Sequence, residues 1–135
     1  MKLYFLDVSY SPGVSYYRCK QPAQYLSSKG HEIALMSLVT PETLKGFDAL
    51  YINGLNLGAI DFNVLTWAKG QGIKIILDLD DDIFNIPDTH PEPHRSVLKS
   101  TSFKNFIKAL LTLIDTMTVT TDYLKEFYSK YFSGR

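Results

Sequence analysis

Short apolar runs alternate along this chain with stretches whose apolar positions recur every three or four residues. Leu3 to Val8, Ile33 to Val39, Asp48 to Ile52, Ile73 to Leu77 and Met117 to Val119 read as five short strands. Between them, Ile60, Val64, Leu65 and Trp67 mark a helix over 60–71 that Gly72 ends. Phe103, Phe106, Ile107, Leu110, Leu111 and Ile114 mark an amphipathic helix that packs on the sheet. Thr40-Pro41-Glu42 opens a short helix that stops at Gly46, and Thr120 or Thr121 caps a last one over 122–131. The first helix ends at Gly30, and its start depends on Pro22. Either it begins near Gln21 with proline in the first turn, or it begins at Tyr16 and kinks. The later start is preferred here, with Tyr16 to Lys20 as an extended loop or short turn. Asn85 to His94 holds three prolines and no periodicity, so it reads as a long loop.

Strict strand–helix alternation predicts an α/β fold: a Rossmann-like open parallel sheet of about five strands with helices on both faces. Residues 1–135 fit a single domain. In such sheets ligands bind beyond the carboxyl ends of the strands. Gly13 and Asp80 are expected at that same end, with the ends of strands one and four adjacent.

Composition narrows the class. Lys plus Arg balance Asp plus Glu at 14 each, which argues against a dedicated nucleic-acid binder. The single cysteine, Cys19, excludes an internal disulfide and suits a reducing, cytoplasmic setting. No apolar run approaches the ~20 residues of a membrane helix. The start meets Asp7 too early for a signal peptide.

The chemistry concentrates where the fourth strand runs into Asp78, Asp80, Asp81 and Asp82. Unpaired buried carboxylates are costly, so these acids are expected at a strand end facing water, a cation or a ligand. A calcium loop is excluded, because Ile83 and Thr89 stand where it needs glycine and glutamate. Apolar strand then Asp-Leu-Asp is similar to the first motif of haloacid-dehalogenase-like phosphatases, with Asp78 as nucleophile and Asp80 as acid/base. Asp82 stands where that family wants threonine or valine, and its later motifs need more chain than follows. The plain alternative is a solvated strand end, with Asp82 capping a turn.

After the first strand, Ser11-Pro12-Gly13 precedes Tyr16-Tyr17-Arg18. Glycine admits close backbone approach, arginine forks onto a phosphate or carboxylate, and tyrosines stack on flat or sugar rings. The plain alternative is a turn glycine and a surface arginine paired with an aspartate. No dinucleotide or phosphate-loop fingerprint is present. His90 and His94 flank Glu92 and read as surface-loop residues, and Cys19 has no base beside it.

Together these segments resemble the amino-terminal half of GT-B glycosyltransferases. The resemblance rests on Pro12-Gly13, Tyr16-Tyr17-Arg18, Gln21-Pro22, Leu26 and Gly30-His31-Glu32. It continues through Asp78-Leu79-Asp80-Asp81-Asp82-Ile83-Phe84-Asn85-Ile86-Pro87 and Asp115 with Thr118-Val119-Thr120-Thr121 and Tyr123-Leu124. The family's sugar-nucleotide site lies mainly in a carboxyl-terminal domain that these residues do not supply. The ending after a helix at Ser133-Gly134-Arg135 suits a cut before such a domain. The resemblance implies sugar transfer from a nucleotide-sugar donor to an acceptor hydroxyl, with that domain as partner and no divalent metal. Its implied substrate-binding residues are Gly13, Tyr16, Tyr17, Arg18, Asp80, Asp81 and Asp82; it names no catalytic residue. The competing class is a non-enzymatic carbohydrate- or protein-binding module.

Overall fold

The computed structural model describes residues 1–8, 11–54, 60–87, 89, 99–132 and 134. Five strands form one parallel sheet: β1 (Lys2–Leu6), β2 (Glu32–Met36), β3 (Ala49–Asn53), β4 (Lys74–Leu79) and β5 (Thr116–Val119), in the spatial order β2-β1-β3-β4-β5. Between β1 and β2 the chain forms α1 (Pro12–Ser15), a π-helical turn (Tyr16–Lys20) and α2 (Gln21–Ser28). Among the described residues the remaining helices are α3 (Pro41–Leu44), α4 (Phe62–Gly70), α5 (Thr101–Leu111) and α6 (Asp122–Tyr128). The α/β, Rossmann-like open sheet expected from the alternation is therefore the fold.

Local signals set most boundaries. Gly30 and Gly72 take positive φ, and each closes a Schellman motif: His31 N–H reaches Leu26 O, and Ile73 N–H reaches Ala68 O. Thr40 and Thr43 form a reciprocal capping box on α3. Asp61, Ser100 and Thr121 cap α4, α5 and α6 through their side chains.

The chain steps one way from β1 to β2 and the other way from β2 onward. Right-handed crossovers then put α1–α2 on one face and α3, α4 and α5 on the other. The buried residues divide accordingly. Leu6, Leu50, Ile52, Ile75, Leu77 and Leu79 join Leu44, Leu65, Leu110 and Tyr128 in the larger core. On the opposite face the apolar cluster is smaller, Leu3, Phe5, Ala23 and Ala49, with Tyr51 and Ile76 half-buried beside them.

Four expectations change. Gly13 is not a turn glycine but lies inside α1, which Pro12 opens at its first turn, where a missing N–H costs nothing. Tyr16 to Lys20 is helical, not extended, so the segment from Pro12 to Ser28 is continuous. β4 runs past Leu77 to Leu79 and takes Asp78 inside the sheet. The ends of β1 and β4 share the carboxyl end of the sheet, but β3 lies between them. His90, Glu92 and His94 lie outside the described residues.

Candidate functional site

The parallel register builds one polar rung across the carboxyl end of the sheet. Asn53 lies opposite Asp78, and Asp78 opposite Thr118. One rung earlier, Phe5, Tyr51, Ile76 and Thr116 are in line. Side chains alternate along a strand, so Tyr51 and Asn53 face the same way, as do Ile76 and Asp78. That is the face covered by α1 and α2.

The π-helical turn lowers Arg18 onto this rung. Pro22 has no N–H to give the Arg18 carbonyl four residues back. The helix accommodates it with a longer step, in which Gln21 N–H bonds Tyr16 O. The freed Arg18 carbonyl accepts the Tyr51 hydroxyl at 3.0 Å. A strand tyrosine thus replaces the helix bond that proline removes, and it ties the arginine's backbone to β3.

The Arg18 side chain then spans β3. Its Nη1 lies 2.9 Å from Asp78 Oδ2 and its Nη2 3.2 Å from Asp80 Oδ2. The other Asp78 oxygen accepts Thr118 Oγ1 at 2.6 Å. Asp78 is 6% exposed, so this carboxylate is buried and paired at both oxygens. Burial of the Arg18 guanidinium opposes its charge, but the Asp78 bond and the two carboxylate charges outweigh that and raise its pKa. Beside it, the buried Ser15 hydroxyl donates to Asp7 just after β1. Burial, reinforced by Asp7 and Asp78, pushes the Cys19 thiol up to about 12, so it is an inert core thiol. Burial and the Asp78 charge also push the Tyr51 hydroxyl well above its ordinary range.

The acid run divides into four roles. Asp78 belongs to the strand, which corrects the expectation that all four acids face outward. It escapes the cost of an unpaired buried charge because Arg18 and Thr118 satisfy it. Asp80 is exposed and shares Arg18. Asp81 is exposed and contributes its backbone: its carbonyl accepts the Tyr128 hydroxyl at 2.7 Å. Tyr128 Oη in turn accepts the Ile83 N–H at 3.1 Å. Asp82 caps the turn, accepting Phe84 N–H and Asn85 N–H at 3.1 Å each, the Asn85 amide at 2.8 Å and the Tyr123 hydroxyl at 3.1 Å.

Of the other sequence candidates, Tyr16 and Tyr17 are 47% and 67% exposed on the outer side of the π turn, packed edge to face. Gly13 is exposed in α1, without positive φ and with nothing near its absent Cβ, so glycine is not sterically required there. Sequence reasoning passed over Asn53, Tyr51 and Thr118 as site residues, and weighed Asp78 only within the acid run and as the nucleophile of the phosphatase reading. The available signal was polar residues two apart at the ends of apolar strands, Tyr51-x-Asn53 and Asp78-x-Asp80. A hollow of about 430 Å³ under the edge strand, lined by Met117, Val119, Tyr128 and Phe132 among others, touches this site through Thr118 and Tyr128. Among the described residues no group of His, Cys, Asp and Glu is arranged to hold a metal ion, and no helix is long and apolar enough to cross a membrane. No family model, curated protein or solved structure matches the chain.

Proposed function

We propose that this chain is the acceptor-side half of a GT-B glycosyltransferase, which moves a sugar from a nucleotide-sugar donor to an acceptor hydroxyl together with a carboxyl-terminal domain. The observation that carries this reading is the convergence of the three segments that resemble the family. Arg18 meets Asp78, 60 residues on; Thr118 meets Asp78 from 40 residues further; and Tyr123 meets Asp82 across 41 residues. All converge at the carboxyl end of the sheet. There the β1 and β3 connections leave to opposite faces and open the crevice that α/β proteins use for ligands. Arg18, exposed Tyr16 and Tyr17, and Asp80 to Asp82 then form one wall of an interdomain cleft. The partner domain supplies the nucleotide-sugar site.

One observation favours a second reading, a non-enzymatic carbohydrate-binding module. Both outer nitrogens of Arg18 are held by carboxylates. A diphosphate placed here meets Asp78 and Asp80 before it meets a free cation, so this half suits the acceptor better than the donor phosphates. The phosphatase reading is not supported, since both oxygens of its nucleophile, Asp78, are engaged.

The test is to assay nucleoside-diphosphate release from a panel of nucleotide sugars, using the 135-residue chain alone and fused to the product of the reading frame that follows it. The chain alone is expected to give no turnover, and the fusion is expected to transfer. Turnover by the isolated chain, or a following frame that encodes no nucleotide-binding α/β domain, overturns the transferase reading.

A further inference from the structure

We infer that the Asn53 side chain is the floor of a subsite for a neutral hydroxyl group, such as a sugar hydroxyl, at the carboxyl end of the sheet. Asn53 is 5% exposed, and among the described residues its buried Nδ2 has no hydrogen-bond partner. A buried amide left unpaired costs about 1–3 kcal/mol, and native proteins carry few of them. This one is not in a neglected corner. It sits directly opposite Asp78, on the face that carries Arg18 and Thr118, with Tyr51 two residues before it on the same strand.

The neighbours define what fits. Nδ2 only donates, so the missing partner must accept. Asp78 and Asp80 only accept, and the Arg18 and Thr118 bonds leave Asp78 acceptor capacity to spare, so the same partner is best satisfied if it also donates. Among the described residues, the ion pairs at the rung set the Arg18 guanidinium against two carboxylates, Asp78 and Asp80. That balance disfavours a phosphate or carboxylate and favours a neutral group. A hydroxyl meets all three conditions, and vicinal hydroxyls of a sugar meet them at both Asn53 and the aspartates. The inference deepens the acceptor-side reading and rests on it only for the choice of sugars as probes.

The test uses the 15N-labelled 135-residue chain and follows the Asn53 side-chain NH2 resonances, assigned by their loss in Asn53→Leu. Glucose, galactose and N-acetylglucosamine are titrated separately, with inorganic phosphate as the anionic comparison. At least one neutral sugar is expected to move the Asn53 pair saturably, and phosphate is expected to leave it in place. Asn53→Leu is expected to abolish the saturable response at the neighbouring Asp78 and Thr118 amides without lowering Tm, because no hydrogen bond of the free protein is lost. A fall in Tm of the size that accompanies a lost buried hydrogen bond shows that a bound water already satisfies Nδ2 and overturns the subsite. So does an unmoved Asn53 pair with all three sugars, or movement by phosphate. If Asn53→Leu fails to fold, selective 15N-asparagine labelling assigns the pair and the wild-type titration decides. Sugar binding at Asn53 without transferase activity removes the transferase and keeps the subsite. Transfer without any response at Asn53 removes the subsite alone.

Discussion

The two faces of the sheet are built on different principles. On the α3–α6 face, Leu50, Ile52, Ile75 and Leu77 are fully buried and every rung is apolar to the end of the strands. On the α1–α2 face the apolar part is thin, and the final rung turns polar: Asn53, Asp78 and Thr118 under Ser15 and Arg18. A narrow apolar groove of about 110 Å³, lined by Pro22, Leu26, Tyr51 and Ile76 among others, remains between α2 and the sheet on that side. One face holds the fold together by excluding water. The other holds an arginine in place by hydrogen bonds. Hydrophobic burial is non-directional and adds with area, whereas a buried polar network counts only if each member is satisfied. Stability and binding should therefore separate by face.

The largest test of that separation is Leu77→Ala. It removes a fully buried side chain from the apolar face and should cost about 2–5 kcal/mol in denaturant unfolding, with no specific effect on ligand response in the protein that remains folded. A cost under about 1 kcal/mol would mean that this face is not the main core.

Arg18→Met comes next. It leaves Asp78 buried with Thr118 alone, and breaking such a pair from one side should cost up to about 3 kcal/mol. The double change Arg18→Met with Asp78→Leu should recover part of that stability while any ligand response stays lost. Equal stability of the two variants would show that the pair is not desolvated.

Tyr51→Phe should cost about 1–2 kcal/mol, since it leaves the Arg18 carbonyl without the donor that replaces the Pro22 N–H. The same residue carries a pH signature. Tyr51, Tyr128 and Cys19 hold their protons more tightly folded than unfolded, chiefly through burial. The folded state therefore binds more protons in alkali. Their contribution is intact below the thiol's ordinary 9.0 and is lost as pH rises toward about 12. Urea midpoints between those limits should fall for the wild type and fall less for Tyr51→Phe. Parallel slopes would show that Tyr51 ionises freely.

The smallest effect is expected within the acid run. Asp81→Asn should stay within about 0.5 kcal/mol of wild type, because the exposed Asp81 contributes its backbone carbonyl and, among the described residues, no side-chain bond. Asp82→Ala should cost about 1 kcal/mol through the lost turn cap. Thermal melts of the two side by side check the difference, and a reversed order would break the assignment of roles along the run.

Much of the scaffold was legible in the sequence. Gly30 and Gly72 end helices as read, Thr40 and Thr121 cap them, and each predicted strand exists within a few residues. These signals are local: a cap or a Schellman glycine acts within a few residues and carries its meaning with it. The site was legible only in part. Arg18 and the acid run were singled out, and the turn-capping role of Asp82 was among the readings. Asp78 was placed outside the core, because a lone sequence shows a carboxylate without its partners. Tyr16 to Lys20 reads as an extended loop or short turn in preference to a kinked helix, because Pro22 suggests a helix start, while the Tyr51 hydroxyl that lets the helix pass through it comes from a strand 33 residues away.

The sequence by itself determined that this is an α/β chain with five short strands, where its helices start and stop, and that its chemistry gathers at strand ends. Those properties follow from period, caps and charge, which neighbouring residues impose on one another. Only the tertiary structure decided that β3 stands between β1 and β4, that Arg18 crosses it to pair with Asp78, and that the buried Asn53 Nδ2 has no partner among the described residues. Strand order and register are set by which apolar faces find one another after collapse, and no spacing along the chain encodes which buried donor will meet an acceptor.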